Sequence, residues 1–266
     1  MARISGRSAA WTIAVAVLFA ACGGDDTASS LVPAGPPVGK AVLPDLVPEP
    51  PDVLQMLRDN EGGWSIRFSS VLVNVGAGDF ALEGTRVGDD WAVEQAITYS
   101  EGGAELVPVD ASMAWGGDGH EHWHVSRVAS YRLEPLVDAP STAPATDGRE
   151  DTKIGFCFFD SGKELDRGPE KARFGRRGCG HEDSETFLMG LTPGWGDTYV
   201  FSLPGQSIDV SDLADGSYRL WAQADEQAWF REVTRDNNVT WVDFELATLS
   251  GGLRTALVVE VGPVPG

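Results

Sequence analysis

Trp64-Ser65-Ile66-Arg67-Phe68-Ser69-Ser70-Val71-Leu72-Val73-Asn74-Val75 is the stretch on which the fold turns. Trp64, Ile66 and Phe68 alternate with polar residues, then Val71, Val73 and Val75 alternate in the opposite phase. A period of two places alternate side chains on one face of a β-strand. The change of phase at Ser69-Ser70 predicts a bulge there. Working outward, further short strands are expected at 125–133, 153–159, 197–203, 216–224, 239–246 and 256–261, each bounded by Gly, Pro, Asp or Asn turns. Val242, Phe244 and Leu246 alternate strictly. Helical periodicity is nearly absent, and only 52–58 suggests a short helix. Strands with no intervening helices predict an all-β fold: an antiparallel β-sandwich with long loops and little helix. The segment 136–151 is rich in Pro, Ala, Ser and Thr and reads as a surface loop.

The chain has 266 residues, enough for one well-packed domain. Acidic residues outnumber basic ones 40 to 20, for a formal net charge of −20. Nucleic-acid binding needs a basic face to neutralise phosphates, so no nucleic-acid partner is expected. An acidic surface keeps an exported protein soluble and also favours cationic partners such as amines.

The N-terminus reads as a targeting segment. Arg3 and Arg7 precede an apolar run from Ala9 to Ala21 that is too short to span a bilayer comfortably. Leu18-Phe19-Ala20-Ala21-Cys22 looks like a bacterial lipobox, so 1–21 is expected to be a lipoprotein signal peptide. A lipid on Cys22 would then anchor the chain to a membrane of the cell envelope. Residues 22–40 read as a flexible tether, 41–250 as the folded domain and 251–266 as a C-terminal extension. Cleavage removes Arg3 and Arg7 and no acid, taking the net charge from −20 to −22. Cys157 and Cys179 remain, and two cysteines in an oxidising compartment point to a disulfide.

The chemistry concentrates in Gly119-His120-Glu121-His122-Trp123-His124. The chain has four histidines, and three of them fall within five residues. On a helix His122 would point away from the other two; on a strand all three share a face. The outer Cα atoms would be about 13 Å apart at roughly 3.3 Å per residue. The rings must therefore lean inward or the strand must curve, and Gly116, Gly117 and Gly119 permit bending. Three neutral imidazoles with no adjacent thiolate suit copper or zinc and leave coordination positions open. His181, the fourth histidine, is a distant ligand, a proton-transfer group or a surface residue.

Beyond the triplet, Tyr131, Lys153-Ile154-Gly155-Phe156-Cys157 and Gly196-Asp197-Thr198-Tyr199 follow in an order and spacing that resemble the catalytic domain of lysyl oxidases. Leu43-Pro44-Asp45-Leu46-Val47, Arg67-Phe68, Val73-Asn74-Val75-Gly76, Asp79-Phe80 and Asp236-Asn237-Asn238-Val239 look like landmarks of the same family. The resemblance implies a copper-dependent amine oxidase whose copper ligands are His120, His122 and His124. It implies that Lys153 and Tyr199 become lysyl tyrosylquinone, the neutral amine of Lys153 adding to the oxidised ring of Tyr199. A primary amine and O2 would be the substrates, with an aldehyde, hydrogen peroxide and ammonia as products. Asp197, Asp160 and His181 are candidates for the catalytic base by proximity in sequence. Cys157 matches a family cysteine, whereas Trp195 stands near Tyr199 where the family has one. The scaffold is therefore expected to rely on packing, to which nine tryptophans contribute. The competing expectation is a non-catalytic metal-binding β-sandwich module of the bacterial cell surface, since 215–238 also looks like adhesion-type domains.

Overall fold

A computed structural model describes residues 32–116, 121–136, 149–150 and 155–266. Cys22, His120 and Lys153 lie outside these residues, as do residues 1–21, expected to be a signal peptide, and most of 136–151, expected to be a surface loop. The described chain is all-β and antiparallel. Its strands are β1 (Ala41–Val42), β2 (Leu46–Pro48), β3 (Asp52–Arg58), β4 (Trp64–Asn74), β5 (Phe80–Val87), β6 (Asp90–Tyr99), β7 (Ala104–Val109), β8 (Met113–Trp115), β9 (Trp123–Ser126) and β10 (Ala129–Pro135). They continue with β11 (Arg149–Glu150), β12 (Gly155–Phe156), β13 (Gly162–Lys163), β14 (Thr186–Leu191), β15 (Trp195–Tyr199), β16 (Ser207–Asp209), β17 (Gly216–Ala224), β18 (Val239–Thr248) and β19 (Arg254–Val261). One 3-10 turn, Arg176–Cys179, is the helical element among the described residues.

The strand β4 organises the fold. β2 and β15 both pair with its C-terminal half, at Leu72 and Val73, and so lie on opposite edges. β3 and β16 flank its N-terminal half in the same way. With both edges paired, its backbone groups are satisfied far from water. Ile66, Phe68 and Leu72 point into a core that also takes Phe80 and Leu82 of β5, Leu133 of β10, and Phe244 of β18. One contiguous apolar cluster thus joins inward side chains from all four sheets, a sandwich-like arrangement in which burial of this surface drives folding.

Two expectations change. The segment 52–58 is the strand β3 and not a helix. Its ladder with β4 closes through a tight turn in which Asp59 Oδ1 accepts from the amides of Glu61 and Gly63, both at 2.8 Å. Cross-strand pairing outweighs the weak helical spacing of Val53, Leu54 and Leu57. The irregularity expected at Ser69-Ser70 lies opposite it, between Asp52 and Gln55, where Val53 adopts a φ of 51°. In β4 itself inward burial runs on through Ser70, whose hydroxyl accepts from Gln206 Nε2 at 2.8 Å. Ser70 is polar but inward, so it breaks the hydrophobic pattern without breaking the pleat.

Other features come from buried side-chain hydrogen bonds. Asn74, fully buried, accepts from the amides of Asp45 and Gly76 and donates to the carbonyls of Gly78 and Leu191. Its carboxamide therefore ties β2, β4 and β14 together, which is the physical reason for an asparagine at this point. Cys157 and Cys179 form a disulfide with Cα atoms 5.7 Å apart, fastening the end of β12 to the 3-10 turn. β19 pairs along β18 from Arg254 to Val261, so that segment is part of the five-stranded sheet.

Candidate metal and redox site

β12, β9 and β8 form a three-stranded sheet with β9 in the middle. On one edge Ala114 faces His124 and Trp115 faces Trp123; on the other, Gly155 faces Ser126 and Phe156 faces Val125. The Gly116 amide donates to the His122 carbonyl at 3.1 Å, carrying the bonding past the start of β9. The period of two therefore puts His122 and His124 on one face, while Val125 enters the core from the other. The two imidazoles are buried, with ring centroids 4.6 Å apart and planes inclined by 58°. Two imidazoles this close offer nitrogen donors that can converge on one cation, and their type suits copper or zinc. Among the described residues no group of three or more His, Cys, Asp or Glu side chains is gathered in ligating positions. His120, the third member of the sequence triplet, lies outside the described residues.

Gly155 explains how β12 packs here. A Cβ at this position would sit 2.6 Å from the Val125 carbonyl oxygen and 3.0 Å from the His124 Cβ. Only glycine allows β12 to approach the histidine face this closely. Lys153 precedes it by two residues and lies outside the described residues.

Tyr199 reaches the same sheet from β15. Its hydroxyl accepts from the Cys157 amide at 2.9 Å and donates to the Cys157 carbonyl at 3.3 Å. Its ring meets Phe156 edge-on at 4.8 Å. The phenol is therefore held at the end of the strand that pairs with the histidine strand. Burial pushes its pKa well above the ordinary tyrosine value, and the negative charge of Asp197 pushes it further in the same direction. Asp197 and Tyr199 are two apart on β15 and both turn inward, opposite Leu72 and Ser70.

The three carboxylate and imidazole candidates for a base separate clearly. Asp160 accepts from the amides of Arg173, Phe174 and Thr192 and from the Thr192 hydroxyl. It is a junction residue. His181 is exposed, its backbone carbonyl accepting from Trp123 Nε1 at 2.8 Å. Asp197 is fully buried beside the Tyr199 phenol.

Sequence reasoning did not single out the wall beside β9. Trp91, Trp123 and Trp115 meet edge to face at 5.1 and 5.4 Å. The Arg86 guanidinium lies 5.9 Å from the Trp91 ring and 5.4 Å from the Trp123 ring, and donates to the Glu182 carbonyl. An open pocket of about 800 Å³ is lined by Arg86, Trp115, Glu121, His181, Glu182 and Asp183. These residues come from separate strands and loops, and no local spacing signals their meeting. The abundance of tryptophan was the one available hint.

The sequence profile of the lysyl oxidase family matches residues 92–250, more than half of the chain. Two curated relatives align over 204 residues, 74% of this chain, at 26% identity: lysyl oxidase homolog 1 of Homo sapiens and lysyl oxidase homolog 1 of Bos taurus. The aligned region covers 32% and 31% of those proteins, so this chain spans about a third of their length.

Proposed function

This chain belongs to the lysyl oxidase family, and from that premise we propose that it is a copper-dependent amine oxidase acting on primary amines. The observation that carries the reading is the pairing of strands. The buried His122–His124 face lies on β9, β9 pairs with β12, and the backbone at the end of β12 holds the Tyr199 hydroxyl. The donor set fits the metal: His122 and His124 would hold it through neutral nitrogens, with His120 supplying a third from the same run. When bound, copper supplies one-electron exchange with O2, and the family's lysyl tyrosylquinone supplies an electrophilic carbonyl for a primary amine.

The chain's own residues do the rest. Gly155 keeps β12 against the histidine strand. Lys153 is two residues before Gly155 in sequence and is the lysine that the family resemblance assigns to the cofactor. Its amine is a nucleophile only when neutral, as the environment of a metal and an apolar core would favour. Tyr199 is excluded from water and fixed at its hydroxyl, ready to be modified in one orientation. The net charge of −20 raises the local concentration of cationic amines. A lipid on Cys22 would hold the domain at the cell envelope.

Copper-loaded protein is expected to show quinone absorbance and amine-dependent peroxide release, and Tyr199→Phe to abolish both. Copper-loaded wild type showing neither signal would contradict the reading. A non-catalytic metal-binding module is the second reading, favoured by the enclosure of Tyr199, whose ring is buried and whose hydroxyl is held by the Cys157 amide. It predicts stoichiometric metal binding with no change in Tyr199.

A further inference from the structure

We infer that Asp197 is the group that takes the phenolic proton of Tyr199 when that side chain is oxidised, an inference that rests on the amine oxidase reading. The argument begins with position. Asp197 and Tyr199 lie two apart on one strand, so both side chains leave the same face of β15. Both are buried, at 0% and 5% exposure, among Leu72, Phe156 and Tyr131. Water is therefore not at hand as a base. Among the described residues Tyr131, packed on Phe68 at 5.0 Å, also acts on the phenol, and a neutral phenol is a poor acceptor. The Cys157 carbonyl also accepts from the Tyr199 hydroxyl, at 3.3 Å, but an amide oxygen is far too weak a base to keep a proton. Among the described residues the carboxylate of Asp197 is the acceptor that is left, and its charge acts on the Tyr199 phenol.

The need for an acceptor follows from the chemistry. Burial holds the phenol protonated, so loss of an electron from it without loss of the proton would leave a cation inside the core. In the proposed step the Tyr199 O–H bond breaks and the proton moves to a carboxylate oxygen of Asp197. The electron leaves to a cupric centre held by the histidines, which O2 reoxidises. The proton stays within the enclosed pair, whose charge goes from −1 as carboxylate and phenol to 0 as carboxylic acid and neutral phenoxyl ring, the difference being the one electron passed to the metal. The other two carboxylate and imidazole candidates are unsuited. Asp160 is committed to four donors, and His181 is exposed on another loop.

The test compares Asp197→Asn, Asp197→Glu and wild type, each loaded with cupric ion in aerated buffer. The growth of the Lys153–Tyr199 cross-linked peptide is followed by mass spectrometry. Asn keeps the shape and removes the base, so cross-linking is expected to slow at least about 100-fold, the lower range for loss of a positioned base. Copper stoichiometry should be unchanged, and Glu should restore part of the rate. Wild-type cross-linking is expected to be independent of pH between 6 and 9, whereas the Asn variant should accelerate with hydroxide. Equal rates in wild type and Asn overturn the inference. If the Asn variant does not fold, the wild-type profile decides: a tenfold rise per pH unit would mean that the proton leaves to solvent and would overturn it. A cross-link absent from wild type as well would overturn the oxidase reading itself. Ultraviolet titration of the metal-free proteins then still reads the contact: the Tyr199 phenol should titrate at lower pH in the Asn variant, and an unchanged titration would remove the acceptor's geometry too.

Discussion

Asp160 and Asp197 are two buried aspartates on neighbouring segments, and they sit in opposite kinds of surroundings. Asp160 is met by three backbone amides and a hydroxyl, so its charge is fully repaid by hydrogen bonds and it locks the 173–174 and 192 segments together. Asp197 faces the phenol of Tyr199, an acid that its charge makes harder to ionise. Four donors around a carboxylate make structure. A carboxylate aimed at another acid costs stability and makes a place where a proton can move. The difference teaches that burial alone does not mark a functional acid; what its oxygens face does.

That contrast can be broken by substitution, and the largest effect is expected at Tyr199. Tyr199→Phe should reduce amine-dependent peroxide release at least about 1000-fold, measured with copper-loaded protein, if the ring is the reactive group. It should also cost about 1–3 kcal/mol in denaturant unfolding, because the Cys157 amide loses its acceptor inside the core. Next comes the metal face. His124→Ala is expected to lower copper affinity more than the 10–100-fold typical of an outer-shell partner, read by competition with a chromophoric chelator. Asp160→Asn should act on the fold instead, losing roughly 1.5–3 kcal/mol of stability while leaving copper stoichiometry intact. An Asp160 variant that folded normally yet failed to cross-link would reverse the roles assigned to the two aspartates. Gly155→Ala should cost about 1–3 kcal/mol by pushing β12 from β9, and should weaken copper binding with it.

The smallest effect concerns a third carboxylate, half-buried. Glu232 accepts from the Leu46 amide and from Asn238 Nδ2, yet burial, together with the nearby Asp225 and Asp45, pushes its pKa up to about 7. The folded value is above the unfolded one, so its contribution is fully present below about pH 4.5 and fades as pH rises to 7. Unfolding free energy in the presence of chelator should fall by on the order of 2 kcal/mol across that window, and Glu232→Gln should flatten the fall. A slope of opposite sign would show that the folded protein holds Glu232 as a stabilised anion.

Much of the fold was legible because alternation follows the pleat. β17 runs from Gly216 to Ala224 as its pattern predicts, and β18 and β19 extend the expected runs by only two residues each. Alternation failed where a polar residue turns inward. Ser70 in β4 and Gln95 in β6, whose carboxamide bonds both backbone groups of Arg231, carry polar atoms into the interior and hide the period. β3 was unreadable for another reason: it is held by its ladder to β4 and not by its own pattern. The site divided in the same way. The histidine face is local and was visible as a spacing. The bond from the Cys157 amide to the Tyr199 hydroxyl spans 42 residues, and the Trp91–Trp123–Trp115 wall joins three strands. Neither leaves a trace in any short window, and the expectation that Lys153 and Tyr199 share a site came from the family resemblance alone.

The most direct test is a peptide map of the full chain after copper loading in air. A single fused tryptic peptide carrying both Lys153 and Tyr199, absent from Tyr199→Phe, is the predicted result. Two separate, unmodified peptides from protein that has bound its copper would contradict the account and leave the chain a metal-binding β-sandwich.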